Sequence, residues 1–222
     1  MVNCTDSVDK FQKKAAFTHN LISTSYHEAG HTIYGLLNLM KIESVLVFKE
    51  DNGFVSGITN FDFFELGDVE AEDIKIHIIY SEIGLRYAGL TAEKYHFKTI
   101  SGSDKFPLFL KNGSSEDTIS AAKLIKLYEL AEPGKKRYVF KKKFIAYVLS
   151  ELQSNWDDVN LIAHGLFQNK KLFYKDLKGL LTKKSKNKKF WRAQFRAIDN
   201  IYKLKSLDEN KLRIILLERN LL

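Results

Sequence analysis

The chain has 222 residues, 45% of them hydrophobic and 28% charged, with a formal net charge of +8. That balance supplies enough apolar material for a core and excludes a wholly disordered chain, and the length points to one domain, or one domain with an appendage. The single cysteine, Cys4, excludes an internal disulfide framework, Met1 to Lys14 lacks the apolar core of a signal peptide, and no apolar run reaches the length of a membrane span, so the expected setting is a reducing, cytoplasmic one.

With two prolines, Pro107 and Pro133, and few glycines, the chain favours long helices. From Ser23 to Leu39, Tyr26, Ala29, Ile33, Leu36 and Leu37 recur at helical spacing, which predicts a helix ending near Asn38 to Lys41. Val45–Phe48 and Phe54–Ile58 flank the turn sequence Glu50-Asp51-Asn52-Gly53 and predict a β-hairpin, with room for one more short strand. Glu70 to Lys94 reads as a second long helix, broken or closely packed near Gly84 and Gly89. Ile100 to Asn112 reads as irregular. A helix capped by Ser114 or Ser115 follows, running to about Ala131 and closed by Pro133-Gly134.

Four more segments read as helical or linking: 136–154, 156–168, 174–182, and an exposed lysine-rich link from Lys183 to Lys189. Phe190–Lys203 and Asp208–Leu221 read as two terminal helices. Charge divides along the chain. Residues 1–131 carry 13 Lys/Arg against 18 Asp/Glu, and residues 132–222 carry 22 against 9. A basic half invites a nucleic-acid reading, but no nucleic-acid motif accompanies it, and a solvated helical face accounts for it as well.

Chemistry concentrates in His27-Glu28-Ala29-Gly30-His31. Histidines four residues apart project from one helix face, so both imidazoles can reach one ion, and neutral imidazole suits Zn²⁺. Glu28 can approach a metal-activated water without ligating the metal itself. A third protein ligand is required. The metzincin extension fails, because Tyr34 and Leu37 stand where it needs Gly and His. A glutamate from a following helix, Glu82 or Glu93, or a more distant aspartate remains open.

Ser25-Tyr26-His27-Glu28-Ala29-Gly30-His31-Thr32 resembles the A-x-H-E-A-G-H-A segment in the peptidase domain of the FtsH family, membrane-anchored AAA+ zinc proteases. Ala88-Gly89-Leu90-Thr91-Ala92-Glu93 looks like that family's A/G-G-R-x-A-E motif, with Leu90 in place of the arginine. Gly113 to Ala121 resembles its G-A-S-N-D motif, and Asn155 to Leu172 its C-terminal helices. The resemblance covers residues 20–182. It implies a mainly α, zincin-like peptidase fold with a small hairpin beside the HExxH helix and C-terminal helices. It implies Asp117 as the third zinc ligand, with Asp104 the rival because the stretch from Glu93 to Asp117 is longer than the family's. Glu93 becomes a carboxylate able to orient a ligand histidine. The hairpin matches the strand beside the family's active site, which makes Phe54, Val55, Ser56, Gly57 and Ile58 candidates for binding an extended polypeptide.

These 222 residues contain no G-x-x-x-x-G-K-S/T loop. The expectation is therefore a zinc endopeptidase acting on flexible or unfolded polypeptides without ATP, or beside a separate ATPase or adaptor, with homo-oligomerisation open. A catalytically silent scaffold that binds protein partners is the alternative. Residues 1–182 form the expected peptidase domain and 183–222 a basic linker with a helical extension. Tyr26 and His96 are candidates for stabilising an oxyanion.

Overall fold

The computed structural model describes residues 4–62, 70–103, 115–128, 137–203, 209–219 and 221. Among them the chain is mainly helical, with a small antiparallel sheet, as the sequence predicts. The helices are α1 (Cys4–Leu37), α2 (Glu72–Ser101), α3 (Ser115–Leu127), α4 (Arg137–Ser154), α5 (Trp156–Asn169), α6 (Tyr174–Lys184), α7 (Lys188–Ile201) and α8 (Glu209–Glu218). The strands are β1 (Lys41–Lys49), β2 (Val55–Asp62) and β3 (Lys171–Phe173), in the order β2-β1-β3. No described helix is long and apolar enough to cross a membrane.

Helix α1 starts well before the predicted Ser23. No glycine or proline lies between Cys4 and Ala29, so no backbone obstacle stops the helix there. It ends where Leu39 turns left-handed, at φ 61°. The Leu39 amide donates to the Leu36 carbonyl at 3.2 Å and the Met40 amide to that of Gly35 at 2.9 Å, the paired bonds of a left-handed helix end. A leucine stands where glycine is usual, and its side chain is buried in the core.

Helix α2 packs antiparallel along α1: Tyr34 meets Gly84, Gly30 meets Ala88 and Ala92, and Ser23 meets Glu93. Small residues make the approach possible, since a β-carbon on Gly30 would lie 2.6 Å from the Ala88 carbonyl oxygen. The helix is continuous and runs past the predicted Lys94 to Ser101, where left-handed Gly102 closes it. The two residues just before it are held from afar by the Glu209 carboxylate, which accepts from the amides of Glu70 and Ala71.

The hairpin lies over α1. Strand β2 alternates, and Gly57 and Phe61 from one of its faces meet Glu28 and Gly35 of the helix. Strand β1 is the centre of the sheet, with Val45 opposite both Thr59 of β2 and Leu172 of β3. Strand β3 is three residues long, too short to carry a period, and is set up by a second left-handed residue, Lys170, which ends α5 and whose carbonyl accepts from the Val47 amide at 2.8 Å.

The predicted exposed link from Lys183 to Lys189 is shorter than expected. Helix α6 runs through Lys184, Ser185 is buried, its hydroxyl accepts from the Asn187 amide at 2.8 Å, and α7 starts at Lys188. Trp191, Phe195, Ile198 and Ile201 then repeat at helical spacing and enter the same core as α1 and α5. Gln194 donates to the carbonyls of Leu36 and Leu37, at 2.7 and 2.9 Å, and so satisfies the end of α1. The predicted irregular stretch lies, from residue 104 to 112, outside the described residues, as do Ser114 and Pro133-Gly134.

Trp191 is fully buried and its indole N–H donates to the buried Asp158 carboxylate at 2.7 Å. Trp191→Ala should therefore cost about 3–5 kcal/mol for the lost burial and the cavity together and leave Asp158 short of a donor. Urea denaturation of the variant beside the wild type measures it; a cost under about 0.5 kcal/mol, typical of surface substitutions, would contradict this packing.

Candidate metal centre

Three helices deliver the site. Helix α1 brings His27, Glu28 and His31, α2 brings Leu85, Arg86, Gly89 and Glu93, and the first turn of α3 brings Asp117. The helical period puts His27 and His31 on one face, their ring centroids 4.7 Å apart. Both rings turn Nε2 toward the same carboxylate oxygen: Asp117 Oδ2 lies 3.2 Å from His27 Nε2 and 3.3 Å from His31 Nε2. Both Nδ1 atoms are engaged behind. His27 Nδ1 lies 3.3 Å from Glu93 Oε2, and His31 Nδ1 lies 2.7 Å from the Leu85 carbonyl oxygen. An acceptor behind each ring favours a proton on Nδ1, so Nε2 is the nitrogen left to face an ion once the ion displaces any proton held there. Glu93 is itself anchored, as Ser23 Oγ donates to its Oε1 at 2.6 Å.

Gly89 makes the convergence possible. A β-carbon there would lie 2.4 Å from His31 Nε2 and 2.5 Å from His27 Nε2, so any side chain would fill the point at which the rings meet. Ligand atoms of His27, Glu28 and His31 lie within 4.8 Å of one another, all three residues buried. Two imidazole nitrogens, a carboxylate oxygen and a gap without a side chain between them fit a divalent ion that takes N and O ligands, as Zn²⁺ does.

Electrostatics agree with the donor set. Burial disfavours a charge on His27, but hydrogen bonds to Asp117 and Glu93 and the charges of Glu28 and Glu93 outweigh it and push the imidazole up to about 10. Burial likewise opposes ionisation of Asp117, yet His27 and His31 hold its carboxyl well below the usual range. The cluster thus holds positive charge among carboxylates, the environment a cation needs.

Of the residues singled out from sequence, His27, Glu28, His31, Glu93 and Asp117 come together. Glu82 faces Arg86 instead, 3.8 Å away, and Asp104 lies outside the described residues. Phe54 is exposed in the turn before β2, Val55 pairs with Lys49, Ser56 bonds Glu50, Gly57 sits against the Glu28 carboxylate and Ile58 is exposed. The Tyr26 hydroxyl donates to Asn160 at 2.8 Å and its ring stacks on His96 at 3.5 Å, so neither group is presented to the His27–Asp117 cluster.

Sequence reading missed three contributors. The Leu85 carbonyl carries no side-chain signal. Arg86, one turn before Leu90, reaches within 3.7 Å of Asp117 Oδ1, the oxygen turned away from the histidines. Thr59 Oγ1 donates to Glu28 Oε2 at 2.6 Å from across the hairpin. No protein-family model matches the chain, and no curated protein matches it.

Proposed function

We propose that this chain is a zinc-dependent endopeptidase resembling the FtsH-type peptidase domain, hydrolysing peptide bonds in flexible or unfolded polypeptides. The observation that carries the reading is the meeting of His27 Nε2, His31 Nε2 and Asp117 Oδ2 at Gly89, with the Glu28 carboxylate beside them. His27, His31 and Asp117 would hold the ion. Zn²⁺ bound there supplies Lewis acidity, which acidifies water and polarises a carbonyl.

The chain's own groups do the rest. Glu93 and the Leu85 carbonyl keep the rings oriented, and Arg86 faces the outer oxygen of Asp117. Glu28 takes the proton of the attacking water and hands it to the leaving amine. Strand β2 is a terminal strand of the described sheet, so its outer edge offers main-chain groups to an extended polypeptide along Phe54 to Ile58. Such pairing reads backbone rather than side chains, which suits broad sequence tolerance. These 222 residues carry no G-x-x-x-x-G-K-S/T loop, so the reading places cleavage without ATP, with a separate ATPase or adaptor as the source of any unfolding.

Elemental analysis of purified protein, beside His31→Ala, tests the site. About one zinc per chain is expected in the wild type and none in the variant, with cleavage of an unfolded polypeptide stopped by a chelator. Failure to take up metal after reconstitution with zinc would remove the basis of the reading.

A further inference from the structure

We propose that Thr59 is a positioning residue that holds Glu28 out of the metal's ligand set, so that its carboxylate stays free to accept a proton. The inference rests on the zinc-peptidase reading and adds to it a residue from outside the three helices that build the site.

Glu28 faces two competing fates. Its carboxylate lies close enough to the ligand atoms of His27 and His31 to join them around one ion, and glutamate is an ordinary zinc ligand. A carboxylate bound to the ion has one oxygen committed to the metal and its negative charge drawn toward the cation, which makes it a weaker base and leaves it poorly placed to take a proton from the water. The HExxH spacing alone does not choose between these fates.

The hairpin chooses. Thr59 Oγ1 donates to Glu28 Oε2 at 2.6 Å, within the short range of hydroxyl-to-carboxylate bonds, which are among the stronger hydrogen bonds in proteins. The donor is rigidly mounted. Thr59 pairs with Val45 in the middle of the β1–β2 ladder, and its β-branched side chain has restricted χ1 freedom. Two residues earlier on the same strand face, Gly57 lies so close to Glu28 that a β-carbon would fall 2.4 Å from both its Cγ and its Oε1. The strand thus closes over the carboxylate with one hydroxyl aimed at it and no side chain in the way. Thr32, one turn along α1, donates to the Glu28 backbone carbonyl at 2.7 Å and not to its carboxylate.

The test loads the full chain with Co²⁺ and compares wild type, Thr59→Val and Thr59→Ser by visible absorption, which reports the ion's ligands. The zinc forms are compared by competition with a chelator and by kcat and KM on an unfolded polypeptide. Thr59→Val should change the Co²⁺ spectrum, bind zinc more tightly, and lose kcat by about 10- to 100-fold, the scale of loss from a misplaced reacting group, with KM unchanged. Thr59→Ser should match the wild type throughout. Thr59→Ala removes the same hydroxyl and answers the question should the valine variant not fold. An active wild type whose hydroxyl-less variants keep its spectrum and kcat overturns the inference alone. A wild type that neither binds metal nor cleaves overturns the zinc-peptidase reading, and this inference with it.

Discussion

Replacement of Glu28 by glutamine is expected to lower cleavage of an unfolded polypeptide by about 10²- to 10⁴-fold, the range that a general base contributes, while the zinc content stays that of the wild type. The amide has the carboxylate's shape and can still accept the Thr59 hydroxyl, so the hairpin should keep its seat on α1. What it loses is the capacity to take up a proton. Metal retention follows because the ions' proposed holders are His27, His31 and Asp117, whose mutual distances do not involve Glu28. Parallel measurements of zinc content and initial rate check both halves. A variant that cleaves at the wild-type rate would exclude Glu28 as the base; one that loses its zinc would make Glu28 a ligand instead.

How much of this centre could be read from sequence depends on how far apart its parts are in the chain. His27 and His31 are legible because the helical period alone sets their relation, and the apolar residues around them already predict the helix. Asp117 sits 86 positions after His31 and enters through the resemblance; no local rule ties it to the histidines. Glu93 stands open as a third ligand on residue type alone, and the resemblance recasts it as a partner for a ligand histidine. The Leu85 carbonyl and the Thr59 hydroxyl depend on three-dimensional contact and their sequence context gives no sign of them, while Gly57 and Gly89 stand out in sequence without showing which side chains they make room for. In the fold, elements with strong apolar periods were legible almost to their ends, whereas the upstream extension of α1 carries no stop signal to read. Gln194 capping α1 and Glu209 holding the two residues before α2 act across more than 130 positions, which is why the terminal helices look detachable in sequence yet fasten the helices that carry the site.

Asp117→Ala should abolish zinc binding and, with it, the stabilisation that zinc confers. A ligand that binds only the folded state at 1,000 times its dissociation constant stabilises by about 4 kcal/mol, so zinc should raise the melting temperature of the wild type and leave the variant where it was. The competing account makes Asp117 an acidic residue in the first turn of α3, interacting with the helix dipole. That role is worth about 0.3–1 kcal/mol and predicts a small, zinc-independent loss with the zinc-induced shift intact. Dependence on pH separates the two further. Folded His27 holds its proton up to about 10, whereas the unfolded chain releases it near 6.5. Its contribution to the metal-free protein is therefore complete below 6.5 and lost as pH rises towards 10. Removing Asp117 takes away the largest influence raising His27, so the metal-free variant should show a flatter stability profile across that window. Zinc uptake has the opposite dependence, because the ion must displace the proton, and the zinc-induced shift of the wild type should grow with pH. Melting curves with and without zinc at pH 6.5 and 9 measure all three quantities; a zinc-induced shift retained in Asp117→Ala would move the third ligand elsewhere in the chain.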